Sequence, residues 1–155
     1  MSAVRRSAAA VLGIVVAASL AGCATETERY CDAIEDQKQE LSDLAARSAD
    51  PDTDVLAETL AVWQDLHEAA PDDIADEWQT LVFALEGLVD AFDAAGTTPS
   101  EYNPEEPPAG VSEEEAQRLE DAAAELASRR VTAAGDGVEQ HAKDVCKVDL
   151  GLGAG

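Results

Sequence analysis

The chain has 155 residues, and 33 acidic against 10 basic side chains give it a net charge of −23. All of the acidic residues follow Cys23. This excess excludes nucleic acid as an expected partner, because nucleic-acid surfaces need clustered Lys and Arg. It also opposes adhesion to an anionic membrane surface, whereas cationic partners stay open. The simpler interpretation is a set of solvated helix faces that keep the protein soluble.

The first 22 residues have the pattern of a secretory signal peptide. Arg5 and Arg6 form a basic start, the apolar run Ser7–Leu20 follows, and small residues stand at the exit. The apolar run is 14 residues long, whereas a membrane-spanning helix needs about 20. The two alternatives are an uncleaved anchor helix and an ordinary secreted protein that is cut near Ala24.

The residues Leu20-Ala21-Gly22-Cys23 resemble the lipobox of bacterial lipoproteins. The resemblance implies that the Cys23 thiol receives a diacylglyceryl group and that the signal peptide 1–22 is removed just before it. Residues 23–27 would then be the lipidated anchor and a short tether. We therefore expect the protein on the extracytoplasmic face of the cell membrane, which is its partner through the lipid on Cys23.

Two further cysteines, Cys31 and Cys146, remain for one disulfide bond. Disulfides form and persist in an oxidising compartment outside the cytoplasm. The alternative is two free buried thiols, which are uncommon in exported proteins. A metal site is the weaker interpretation, because no His or Cys stands at ligand spacing from either cysteine.

Apolar residues recur at helical spacing along the chain, and no segment alternates as a strand would. The first predicted helix covers about Glu26–Arg47, and Asp50-Pro51 separates it from the second. Pro71 precedes the third helix, and Gly96 is its natural stop. The sequence therefore predicts three helices before the long loop that follows.

A fourth predicted helix follows the loop 97–111, which contains four prolines and is expected to be mobile. Ser112 and Glu115 form a capping box at the start of this helix. The apolar stripe keeps its phase through Gly135-Asp136-Gly137, which predicts one helix with a soft point rather than two helices. The tail 151–155 is expected to be disordered.

Four amphipathic helices predict an all-α fold, a four-helix up-down-up-down bundle over residues 28–150. In such a bundle, the start of the first helix and the end of the fourth lie at the same pole. Cys31 and Cys146 occupy these two ends, so we expect one disulfide to close the bundle. The bond would lie near the anchored end, since seven residues separate Cys23 from Cys31.

The carboxyl end provides a second resemblance. Cys146-Lys147-Val148-Asp149-Leu150, with Tyr30-Cys31 near the start, is similar to the Cys-Gly-Val-Asp-Leu ending of small actinobacterial lipoproteins of unknown function. Lys147 stands where that pattern has glycine. The resemblance implies a lipoprotein, and it brings no activity to carry over.

The sequence contains few signs of catalysis. No serine stands in a Gly-x-Ser-x-Gly turn, no Gly-rich phosphate loop is present, and the acidic residues near Asp72 lack the spacing of a calcium loop. We expect no catalytic residue, no metal site and no cofactor. The weak candidates for a ligand pocket, for which core packing is the simpler interpretation, are Trp63, His67, Trp78 and His141.

The sequence thus predicts a non-enzymatic, lipid-anchored helical bundle that contacts another component of the cell envelope, such as an envelope protein. The alternative is a module that binds a small ligand or a cation in the bundle core or on the acidic surface. A pocket lined by the two tryptophans and two histidines would favour the binding module, and a filled core would favour the first interpretation.

Overall fold

The computed structural model describes residues 25–50 and 53–152. Within these ranges the chain forms five α-helices and one π-helical turn, and it contains no strand. The elements are α1 (Glu26–Arg47), α2 (Leu56–Ala69), α3 (Ala75–Ala95), α4 (Glu113–Leu126), α5 (Arg129–His141) and the π-turn (Ala142–Cys146). The prediction of an all-α fold is confirmed for the described residues. The predicted signal peptide 1–22 and Cys23 lie outside them.

Local hydrogen bonds explain where α1 and α4 begin. The hydroxyls of Thr25 and Ser112 accept hydrogen bonds from the backbone N–H groups of Glu28 and Glu115, and each Glu carboxylate accepts one from the N–H of its cap residue. These capping boxes satisfy N–H groups that the first turn leaves free. The same bonds lower the pKa of both Glu carboxyls.

The predicted fourth helix is two helices in the structure. α4 ends at Leu126, and the hydroxyl of Ser128 starts α5 by accepting a hydrogen bond from the N–H of Val131 at 3.3 Å. The sequence placed the soft point at Gly135-Asp136-Gly137, but α5 continues through both glycines. The step from Leu126 to Val131 is five residues, longer than the three or four that keep side chains on one helix face. The break at Ser128 allows both side chains to point inward.

The helices do not pack as a closed bundle. α3 lies against α2, α4 and α5, and α1 lies against α2. α1 meets the carboxyl half at the π-turn, but no Cα atom of α4 or α5 lies within 8 Å of one in α1. The four-helix up-down-up-down bundle is therefore not confirmed, because the side between α1 and α4 is closed at one pole only.

A disulfide bond holds that closed pole together. Cys31 and Cys146 are bonded with their Cα atoms 5.1 Å apart, although they lie 115 positions apart in the sequence. The predicted pairing is confirmed. The bond ties the start of α1 to the π-turn.

The carboxyl-terminal segment 147–152 follows the disulfide. Lys147 has a φ of 61°, a left-handed conformation that suits glycine better than other residues, which accounts for the glycine in the resembled pattern. Val148 and Leu150 are buried, and Leu152 packs against the core. The folded part thus extends past the predicted limit of 150 into the predicted tail, whose residues 153–155 lie outside the described chain.

The loop 97–111 is a succession of turns between α3 and α4. The ring of Tyr102 meets the ring of Phe92 of α3 edge to face, with the ring centroids 6.0 Å apart. Part of the loop is thereby packed on the helices. Its mobility stays a prediction.

Candidate functional site

The four predicted pocket residues do not meet in one pocket. Trp78 is fully buried, the His141 side chain is 12% exposed, and each of them contacts Tyr30. Trp63 lines an apolar cleft that Trp78 does not reach. His67 is half-buried on α2 and lines neither part of that cleft.

Tyr30 is the centre of the aromatic cluster at the disulfide pole. Trp78 donates a hydrogen bond from Nε1 to the Tyr30 hydroxyl at 2.8 Å, and the His141 ring meets the Tyr30 ring at a centroid distance of 5.5 Å. His141 Nε2 lies 3.5 Å from a carboxylate oxygen of Asp73. Burial, with the charge of Asp73 adding to it, raises the pKa of the Tyr30 phenol to about 12. The cluster is packed core, since its phenol is fully buried and already bonded.

The cleft lies on the open side of the molecule, and it has two parts that we call the lower cleft and the upper cleft. The lower cleft has a volume of about 330 Å³. It is lined by Trp63, Leu81, Leu126, Val131, Thr132, Gly135 and Leu152. Its walls therefore come from α2, α3, α4, α5 and the carboxyl-terminal segment.

The upper cleft has a volume of about 250 Å³ and adds α1 to the walls. It is lined by Leu41, Leu44, Ala45, Ser48, Val55, Leu56, Thr59, Trp63, Leu85, Leu126 and Leu152. Trp63, Leu126 and Leu152 belong to both parts, so the two parts adjoin at these three side chains. None of the residues that line either part is charged.

Trp63, which lines both parts of the cleft, has a polar group without a partner. Its Nε1 atom is buried and has no hydrogen-bond partner among the described residues. Leaving a buried donor unpaired costs about 1–3 kcal/mol, and a buried Trp N–H usually has a partner. Because the atom is buried, a ligand acceptor would reach this group only when neighbouring side chains move, and an aliphatic chain would suit the walls around it.

Helix α5 comes close to the carboxyl-terminal segment beside the lower cleft. A Cβ atom on Gly135 would lie 3.8 Å from the carbonyl oxygen of Leu152 and 3.9 Å from a methyl carbon of Leu81. Both distances are ordinary van der Waals contacts. The missing side chain of Gly135 thus leaves room in the wall of the cleft.

The segment is fixed to α5 by one buried carboxylate. Glu139 is 5% exposed; one of its oxygens accepts a hydrogen bond from the N–H of Leu152 at 3.0 Å, and the other lies 2.7 Å from Lys143 Nζ. Lys143 also lies 3.3 Å from Asp149. These carboxylates raise the pKa of Lys143, and its hydrogen bond to Asp149 lowers the pKa of that carboxyl.

Sequence reasoning missed Leu126 and Leu152 as cleft residues. Leu152 was assigned to the disordered tail, although Val148, Leu150 and Leu152 alternate with polar or small residues. Such a two-residue period is typical of an extended segment with one buried face. That alternation was the signal that could have placed Leu152 in the folded part.

The acidic surface supplies no comparable site. Among residues 25–50 and 53–152, no group of three or more His, Cys, Asp or Glu side chains is arranged to hold a metal ion. None of the helices in this part of the chain has the length and hydrophobicity needed to cross a membrane. No known protein family, curated protein or solved structure matches the chain.

Proposed function

We propose that this protein is a lipid-anchored, extracytoplasmic, non-enzymatic domain that holds a small apolar component of the cell envelope in the cleft around Trp63. The observation that carries the proposal is the unpartnered indole N–H of Trp63 in the walls of an uncharged cleft. A site of this kind suits a molecule that is mostly hydrocarbon and has one acceptor group.

The disulfide bond supports the proposed location. Cys31 and Cys146 are bonded, and structural disulfides belong to compartments outside the reducing cytoplasm. The lipobox resemblance at Leu20–Cys23 supplies the means of attachment. Two acyl chains hold a protein on a membrane durably, whereas one chain does so only marginally.

The arrangement of the buried aromatic groups supports binding rather than catalysis. The Tyr30 hydroxyl and the Trp78 indole are bonded to each other, and both residues are fully buried. A phenol with a pKa of about 12 stays protonated near neutral pH. These groups stabilise the core, and we place the ligand in the uncharged cleft instead.

The anchor is tested by changing Cys23 to Ala in the full chain. We expect the wild-type protein in the detergent phase of a cell extract and the variant in the aqueous phase, because the variant has no thiol to receive the diacylglyceryl group. Labelling with radioactive palmitate should follow the same division. A variant that stays in the detergent phase and keeps its label would contradict lipidation at Cys23.

The cleft is tested by photolabelling the full chain in membranes with lauroylglycerol that carries a diazirine in its acyl chain. We expect the label on peptides that contain Trp63 and Leu126, and we expect excess lauroylglycerol to prevent labelling. Trp63→Phe keeps the ring but removes the donor, so half-saturation should need about fivefold more probe, in line with one hydrogen bond. Val145→Ala is the matched control, because Val145 is exposed and outside the cleft.

A second candidate function is direct contact with an envelope protein. Phe83 of α3 is 58% exposed, and the space beside Gly87, one turn later, is open. An exposed aromatic side chain of this kind is common in the anchors of protein interfaces. Label that spreads over the surface and resists competition would remove the ligand proposal and favour this candidate.

A further inference from the structure

Leu152 occupies the boundary between the two parts of the cleft. It lines the lower cleft together with Val131 and Gly135, and it lines the upper cleft together with Leu41 and Leu44. Its side chain is only partly buried. Trp63 and Leu126 also line both parts, so Leu152 is one of three side chains between them and the only one of the three that lies outside a helix.

The attachment of Leu152 is suited to release. Its N–H donates to the carboxylate of Glu139 at 3.0 Å, and this is the hydrogen bond that the structure shows for its backbone. Glu139 keeps its second partner, Lys143 at 2.7 Å, when Leu152 leaves. Gly151, with a φ of 71°, precedes Leu152 and supplies the conformational freedom of a hinge.

The shape and the charge of the cleft define the class of ligand. The wall that α1 and its C-cap form in the upper cleft runs from Leu41 to Ser48, which is about 10 Å at the helical rise and offers length for an extended chain. The polar side-chain groups of the lining residues are all neutral: the indole N–H of Trp63 and the hydroxyls of Ser48, Thr59 and Thr132. The net charge of −23 opposes an anionic head group.

We propose that the two parts are halves of one site for a straight acyl chain with an uncharged head group, and that Leu152 is a stopper which this ligand displaces. The inference rests on the proposed function and adds the class of the ligand and the residue that controls entry. The indole N–H of Trp63, at the junction of the two halves, donates to the ester carbonyl of the ligand.

The test compares half-saturation of the diazirine lauroylglycerol probe on full-length wild-type protein, Leu152→Ala and Val145→Ala in lipid nanodiscs. We expect Leu152→Ala to need about tenfold less probe, because the ligand no longer has to expel a leucine side chain, and Val145→Ala to match the wild type. The corresponding laurate probe should bind about tenfold more weakly than lauroylglycerol. Helicity by circular dichroism verifies that each variant is folded.

Hydrogen exchange of the same samples measures the stopper directly. Excess lauroylglycerol should speed amide exchange in the peptide that contains Leu152 and leave exchange at the Cys31 end of α1 unchanged. If the probe labels the cleft, but Leu152→Ala binds it as the wild type does and the exchange rate does not change, the proposal that Leu152 is a stopper is wrong. The proposal that the cleft binds a ligand then stands. Absence of cleft labelling in the wild type and in every variant overturns both the ligand-binding cleft and the Leu152 stopper. Equal binding of laurate and lauroylglycerol overturns the proposal that the ligand has an uncharged head group.

Discussion

Tyr30 shows how a single buried polar group can be tolerated in this small core. Its hydroxyl accepts the indole N–H of Trp78 at 2.8 Å, so two groups that would each be costly to bury satisfy one another. Its ring also meets the edge of His141. The helical stripes of the sequence identified Trp78 and His141 as inward, but periodicity cannot show which polar atoms will meet across helices.

The shifted pKa of Tyr30 predicts a loss of stability at alkaline pH. The phenol pKa is 10.0 in its reference state and about 12 in the fold. The contribution of the protonated phenol to the free energy of unfolding is therefore complete below pH 10. Between pH 10 and about 12, where only the unfolded chain loses the phenol proton, it falls by about 1.4 kcal/mol per pH unit. Tyr30→Phe removes this dependence but leaves the Trp78 N–H without its acceptor, which costs about 1–3 kcal/mol at neutral pH.

Urea unfolding of wild type and Tyr30→Phe at neutral pH and at pH values above 10 measures both effects. The free-energy gap between the two proteins should be largest at neutral pH and should shrink above pH 10. A gap that does not change with pH would show that the phenol titrates normally. Comparing the two proteins at each pH cancels the titration of the other groups.

At the scale of elements, the sequence predicted the bounds of a helix well where one apolar stripe belongs to one helix. The predicted first helix, Glu26–Arg47, has the bounds that the structure shows for α1, and Gly96 ends α3 as predicted. The prediction of one continuous fourth helix was wrong, because the apolar residues on either side of Ser128, Leu126 and Val131, are five positions apart and do not share one helix face. Serine is a preferred N-cap residue, so the sequence shows that a helix can start after Ser128. Whether it does so, or continues from the preceding helix, depends on the packing of α4 and α5 against α3.

The continuity of α5 through its glycines predicts that Gly135→Ala stabilises the protein. Alanine is favoured over glycine in a helix by about 0.5–1 kcal/mol, and a Cβ atom here would meet no atom closer than 3.8 Å. Gly137→Ala is the matched control, since its Cβ atom would lie 3.2 Å from Cγ of Glu77 and part of the gain would be lost to the crowding. The melting temperature should therefore rise more for Gly135→Ala. A fall for this variant would contradict a regular helix at position 135.

At the scale of the molecule, the open side between α1 and α4 is the feature that sequence patterns could not reveal. Amphipathic helices of suitable length predict a closed bundle, and nothing in their stripes specifies how far the first and the last helix stand apart. The disulfide closes this side at one pole only, and Leu152 lines the cleft that remains open. The cleft exists because this side is not fully closed. The four aromatic pocket candidates of the sequence, Trp63, His67, Trp78 and His141, could therefore not predict it.

The disulfide should therefore contribute strongly to stability. Replacing Cys31 and Cys146 by Ser frees a loop of 115 residues, for which chain entropy gives at most about 5 kcal/mol. We expect urea unfolding to show a loss of about 2–5 kcal/mol. Reduced wild-type protein should match the double variant, and neither Cys31 nor Cys146 of the oxidised wild type should react with an alkylating agent. Unchanged stability after both treatments would mean that packing alone holds α1 to the π-turn.

The long separation of the two bonded cysteines has a consequence for the order of events during export. A chain that crosses the membrane from its amino end delivers Cys31 first, and this thiol must wait for the next 115 residues to emerge. During that interval the one nearby thiol is Cys23, eight residues upstream, and an oxidant could join these two instead. Transfer of a diacylglyceryl group to Cys23, as the lipobox resemblance implies, would turn its sulfur into a thioether that cannot take part in exchange. Lipidation would then serve as a safeguard against mispairing, because it leaves Cys31 with Cys146 as its one partner.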